Sequence, residues 1–104
     1  AGADVVVAHL GLTTGGDIGA ETALKLSDCP ALIDRMAAAA RSVKSDVIDF
    51  CHGGTISMPV DAKYVVRACA DCQCFYGASS MERLPSEKAL VAQMRAFTQI
   101  GGKE

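Results

Sequence analysis

Three short apolar runs, each ending in a polar tip and each followed by a stretch with helical spacing, set the narrowest limit on how this chain folds. Asp4-Val5-Val6-Val7-Ala8-His9-Leu10 is the first, Asp46-Val47-Ile48-Asp49-Phe50-Cys51 the second, and Cys74-Phe75-Tyr76 the third and weakest. Continuous apolar runs, rather than alternation, predict parallel strands buried on both faces. Ser27 or Asp28 offers an N-cap before Pro30, and Leu32, Ile33, Met36, Ala37, Ala40 and Val43 then recur at helical spacing. A second helix is expected from near Pro59, carrying Val60, Tyr64, Val65 and Ala68. A third is expected from near Pro85 or Ser86, with Leu90, Val91, Met94 and Phe97 laid against the sheet and a stop at Gly101-Gly102. The order βαβαβα implies an α/β fold of three βα units with parallel strands and right-handed crossovers.

The tips after the second and third runs are glycine-rich: Cys51-His52-Gly53-Gly54-Thr55 and Tyr76-Gly77-Ala78-Ser79-Ser80-Met81-Glu82-Arg83. Glycine lets backbone approach a ligand, and the helix that follows presents free N–H groups and a positive dipole end. Two such tips in consecutive units predict a phosphate or carboxylate site at one end of the sheet. The connection from Gly11 to Leu26 is long, and its Thr13-Thr14-Gly15-Gly16-Asp17-Ile18-Gly19 stretch has the polarity of a lid.

At 104 residues the chain has a one-domain length, and with half its residues apolar but 5% aromatic and no Trp, its core must be aliphatic. A net charge of −2 with dispersed Lys and Arg excludes a basic nucleic-acid stripe. No run approaches the ~18 apolar residues of a membrane span, and no secretory signal pattern is visible. Five cysteines, an odd number without a disulfide framework, indicate a reducing compartment and hence a cytoplasmic protein. The start at Ala1 suggests a processed or excised piece, removal of an initiator Met being the alternative. Three βα units fall short of the ~250 residues of a closed eight-unit barrel. They also leave two open sheet edges. A fragment, an oligomer or a small rearranged α/β layer would each satisfy that arithmetic.

Val7-Ala8-His9-Leu10-Gly11-Leu12-Thr13-Thr14-Gly15-Gly16, Cys51-His52-Gly53-Gly54 and Phe75-Tyr76-Gly77-Ala78-Ser79-Ser80-Met81-Glu82-Arg83-Leu84-Pro85 together resemble the TIM-barrel signal-transduction family. Its members are also described as phosphoenolpyruvate or phosphonopyruvate hydrolase-like, and the barrel recurs in the C-terminal half of Tm-1-like plant and fungal proteins. The resemblance implies that residues 1–104 are a partial TIM-barrel domain, its last three βα units. By analogy it implies Mg2+ in the full-length protein and a viral replication protein as a partner, while the uncovered edges and helix faces predict association with the rest of the barrel or with further copies. It supports fold better than reaction. A small phospho-acid hydrolase or lyase, a non-enzymatic regulatory or antiviral interaction protein, and an inactive truncated product all stay open, and the isolated chain is expected to be inactive.

His9 and His52 each stand at the carboxyl end of a predicted strand, where barrels carry their chemistry as acid, base or ligand; either could instead hydrogen-bond a loop carbonyl. Gly53, Gly54, Gly77, Ala78, Ser79 and Ser80 are the backbone and hydroxyl donors expected on an anion, or merely tight turns. Thr13, Thr14, Gly15 and Gly16 belong to the same ligand-facing set unless they only cap or turn. Glu82 reads equally as a catalytic base or as a salt bridge or helix cap. Arg83 could clamp a phosphate or carboxylate bidentately. Asp17 and Glu21 read as solvated loop charges. Cys69-x-x-Cys72-x-Cys74 invites a zinc reading, but Cys29 and Cys51 lie in other units, so thiols without metal are the expectation.

Overall fold

The computed structural model describes residues 2–17, 19 and 24–101. Ala1, Ile18, Glu21 and Gly102, named above, lie outside that set. Strand β1 is Val5–His9, helix α1 is Cys29–Val43, β2 is Ile48–His52, α2 is Pro59–Ala68, β3 is Cys74–Phe75 and α3 is Arg83–Thr98. Ser27 and Asp28 form a short 3-10 turn with Leu26 ahead of α1, and neither side chain caps it; Pro30 fills the first turn instead. At the other end of α1 the backbone swings to an extended conformation at Lys44, whose N–H bonds the Ala40 carbonyl. Helix α3 starts at Arg83, two residues before the proline expected to open it.

All three strands are parallel, in the order β1-β2-β3. Val5 pairs with Ile48, Val7 with Phe50 and His9 with His52, and Phe50 then pairs with Cys74. Strand order equals chain order, so crossovers of one hand place α1 and α2 on the same face. The core lies there: Ala8 and Leu10 meet Cys29 and Ile33 of α1, Cys51 and Ile56 of the second unit, Val65 of α2, and Cys72. Ala8 and Cys51, register partners one rung before the carboxyl ends of β1 and β2, are small and buried under the helices.

The other face is open, which corrects the expectation of strands buried on both sides. Val5, Val7 and Ile48 are each about two-fifths exposed, at 42%, 39% and 43%. An uncovered apolar layer explains why these runs read as doubly buried: the residues suit a covered sheet, and nothing in the described chain covers it. Helix α3 departs from expectation in the same way. Leu84 is its buried residue, while Leu90, Met94 and Phe97 are exposed, so the stripe does not lie on the sheet.

A buried charge knits the amino-terminal side of the core. Asp49 is 3% exposed in β2, and its Oδ2 lies 3.3 Å from Arg41 Nε of α1. That contact lacks hydrogen-bond alignment, so it is an ion pair and not a charge-assisted hydrogen bond. The same guanidinium reaches the Asp71 carboxylate and carbonyl beyond α2. Gln73 completes the link by accepting the Asp49 N–H at 2.8 Å.

Candidate functional site

Parallel strands deliver their carboxyl ends to one rim. Because His9 and His52 are register partners, their rings meet edge to face with centroids 4.8 Å apart. The ladder continues one rung past β3, where the Tyr76 N–H bonds the Cys51 carbonyl at 2.9 Å. Tyr76 therefore falls on the histidine rung, and its ring lies 5.1 Å from that of His52. His9, His52 and Tyr76 form a row of three rings across the three strand ends. Sequence reasoning did not select Tyr76 as a site residue. Aligning the last residue of each apolar run would have exposed the row.

Each histidine is steered by backbone. His9 Nδ1 accepts the Gly11 N–H at 3.1 Å, and His52 Nδ1 donates to the Tyr76 carbonyl at 2.6 Å. The bland alternative for His52, holding a loop carbonyl, is thus part of its geometry. It leaves the outer ring nitrogen without a partner among the described residues.

The first two tips are bonded to each other. Gly54 N–H donates to the Gly11 carbonyl at 2.8 Å, and Thr14 returns both its N–H and its hydroxyl to the Gly54 carbonyl at 3.0 and 3.2 Å. Gly53 and Gly54 have φ of +77° and +60°, and a Cβ on either would overlap a carbonyl oxygen of the neighbouring tip. Only glycine meets both demands, left-handed backbone and contact with another main chain. The donors ahead of α2 are engaged as well: Asp61 Oδ2 accepts Met58 N–H at 2.8 Å and Ser57 N–H at 3.2 Å. A carboxylate of the chain itself therefore occupies the place an anion would take.

The third tip differs. Among the described residues, the N–H groups of Gly77, Ala78, Ser79 and Ser80 and the hydroxyls of Ser79 and Ser80 make no hydrogen bond. The Ser79 carbonyl accepts Leu84 N–H at 2.9 Å, shaping the turn into α3. Arg83 is engaged: Nη2 donates to the Gly15 carbonyl at 2.8 Å and Nη1 pairs with Glu87 at 3.1 Å, tying the first tip to α3. Gly16 also sits against Arg83 and Glu87, where a side chain would collide. Glu82 is exposed at the head of α3, and its carboxylate bonds nothing among the described residues. Thr13 is half-buried.

A cavity of about 340 Å3 lies on the far side of the Gly16 tip, lined by Leu84, Glu87, Lys88 and Val91 among others, and neither histidine borders it. The ring row stands on an open rim instead. Magnesium takes several oxygen ligands. The carboxylates near the core, Asp49 and Asp61, are engaged elsewhere and Glu82 stands apart, so the described residues do not fit a magnesium site. The cysteines come together more than their spacing implies. Cys29, Cys51 and Cys72 share the core, with Cys69 packed against it. Burial and neighbouring thiols push the Cys51 thiol up to about 12; burial, then Asp34, does the same for Cys69. None of the described helices is long and apolar enough to cross a membrane.

Residues 1–100 match the sequence model of a family described as phosphoenolpyruvate hydrolase-like. Two tomato (Solanum lycopersicum) proteins, "ToMV susceptible protein tm-1(GCR26)" and "ToMV resistance protein Tm-1(GCR237)", are each 47% identical over 100 residues. The match covers 96% of this chain and 13% of each tomato protein, so the chain spans about an eighth of their length.

Proposed function

This chain belongs to the phosphoenolpyruvate hydrolase-like family, and we propose that it is the closing segment, the last three βα units, of a barrel whose rim binds a small phosphate- or carboxylate-bearing acid. The helices on one face and the apolar residues bared on the other match a slice of barrel wall, with Val5, Val7, Ile48 and Phe50 toward the lumen. The observation that carries the ligand reading is the ring row beside the third tip. Two histidines whose outer nitrogens have no partner among the described residues stand in one row with Tyr76, which leads into four backbone donors and two hydroxyls with no acceptor among those residues. Backbone N–H groups without a partner are suited to an oxyanion, and an imidazole to proton transfer. Gly53, Gly54 and Thr14 hold the histidine strands in register, and Arg83 positions Gly15. Ligand contact is assigned to Gly77, Ala78, Ser79 and Ser80. Glu82 is kept as a second acid–base candidate on the same rim.

The test is an amide chemical-shift titration of this chain with phosphoenolpyruvate and with phosphonopyruvate. Shifts concentrated at Gly77–Ser80, His9 and His52 are expected. Shifts scattered over the surface, or none at millimolar ligand, refute the site. With the remaining barrel strands present, turnover of either acid that survives His52→Ala removes that residue from the chemistry.

A second reading, a regulatory or antiviral interaction protein in the cytoplasm, draws on the names of the tomato proteins. It is weaker here because the susceptible and the resistance forms are equally similar to this chain, at 47% each. Direct binding of a purified tobamovirus replication protein, without turnover of either acid, would favour it.

A further inference from the structure

We propose, resting on the anion-site reading above, that His9 and His52 are held in opposite tautomers and divide one task between them. The backbone chemistry requires it. An amide N–H can only donate, so the His9 Nδ1 that faces Gly11 N–H at 3.1 Å carries a lone pair. The proton of the neutral His9 ring then sits on Nε2. A carbonyl can only accept, so the His52 Nδ1 that faces the Tyr76 oxygen at 2.6 Å carries the proton. The lone pair of neutral His52 then sits on Nε2. Neither Nε2 has a partner among the described residues, and the two rings share one rung. The rim thus presents one fixed donor beside one fixed acceptor.

Such a couple suits a substrate that offers a hydroxyl or a water next to an unprotonated oxygen. His52 Nε2 takes a proton from water as the water oxygen bonds to a phosphoryl or carbonyl centre. The electron pair of that centre moves onto its oxygen, which accepts a hydrogen bond from His9 Nε2–H while His9 keeps its proton. The pair on that oxygen then re-forms the double bond, the departing group leaves with its bonding pair, and His52 returns its proton to it, so one water is consumed and both rings end as they began. Gly11 N–H and the Tyr76 carbonyl are the positioning groups.

Long-range proton–nitrogen NMR correlations on the 15N-labelled chain, recorded with neutral imidazoles at roughly pH 8.5, read both tautomers without any ligand. His9 is expected as Nε2–H and His52 as Nδ1–H. Two Nε2–H rings, or averaged nitrogens at His52, overturn the proposal even where phosphoenolpyruvate binds. With the barrel strands present, His52→Gln should lower kcat by about 10²–10⁴-fold, the share of a general base. His9→Ala should lower it by about 10²–10³-fold, and His9→Gln, whose amide restores a donor, should recover at least about tenfold of that loss. Equal losses in His9→Gln and His9→Ala overturn the donor role. Opposite tautomers with no turnover of phosphoenolpyruvate or phosphonopyruvate overturn the proton roles and refute the hydrolytic reading above, leaving only the tautomer assignment standing.

Discussion

Replacing Gly54 by alanine tests whether main-chain contact between the first two tips holds the rim together. Two costs separate cleanly. The backbone at Gly54 has φ +60°, where an L-residue loses roughly 1–2 kcal/mol. The new Cβ would also stand 2.5 Å from the Leu10 carbonyl oxygen. An ordinary carbon–oxygen contact is about 3.3–3.6 Å, so one tip must move by nearly ~1 Å. Displacements of that kind inside packed structure cost about 1–3 kcal/mol. The sum is roughly 2–5 kcal/mol, a large part of the ~5–15 kcal/mol that a domain has. Gly11→Ala supplies the internal control: φ there is +101°, but nothing lies within 4 Å of the added Cβ. It should lose only the backbone part, roughly 1–2 kcal/mol. Thermal unfolding resolves the two, since ~1 kcal/mol moves Tm by about 4–8 °C at this size. His9 and His52 resonances should shift in Gly54→Ala, because the strand ends lose their clamp. Equal losses in the two variants, or a Gly54→Ala protein within about 0.5 kcal/mol of the parent, would refute the clamp.

Three further outcomes follow from the core and the exposed helix. Asp49→Ala should cost about 3 kcal/mol in urea unfolding, the lower end for a broken buried pair because Arg41 keeps Asp71, and a double-mutant cycle with Arg41→Met should return a coupling above about 0.5 kcal/mol. Cys51 and Cys69, both pushed up to about 12 from an ordinary value of 9.0, favour the protonated thiol in the fold. The native state then binds more protons than the unfolded one above about pH 9, so stability is fully present below that value and falls as pH climbs toward 12. A pH series of melting temperatures that stays flat from 8 to 10.5 in the wild type would contradict that sign. Phe97→Glu, at a side chain 60% exposed on α3, should leave unfolding within about 0.5 kcal/mol of the parent. It should abolish any self-association that sedimentation detects in the parent, and a large stability loss would mean that α3 folds back onto the sheet.

The alternation of apolar runs with helical spacing was enough to set the element order, the parallel pairing and the placing of His9, His52 and the glycine tips on one rim. These are local or topological properties: period, turn chemistry and crossover hand act over a few residues, and the family resemblance rests on the same motifs. Sequence alone could not tell which strand face is covered, because Val5, Val7 and Ile48 look identical whether or not a neighbour lies on them. Nor could it tell that the Gly54 N–H and the Arg83 fork already have partners in the first tip, while the donors of Gly77–Ser80 have none among the described residues. Partners that lie 43 and 68 positions apart, as Gly54 does from Gly11 and Arg83 from Gly15, are chosen by packing. The tautomers have the same origin. Which nitrogen of each imidazole carries its proton is decided by whether an N–H or a carbonyl faces it, and only the folded rim brings Tyr76 to His52 and turns Gly11 back on His9.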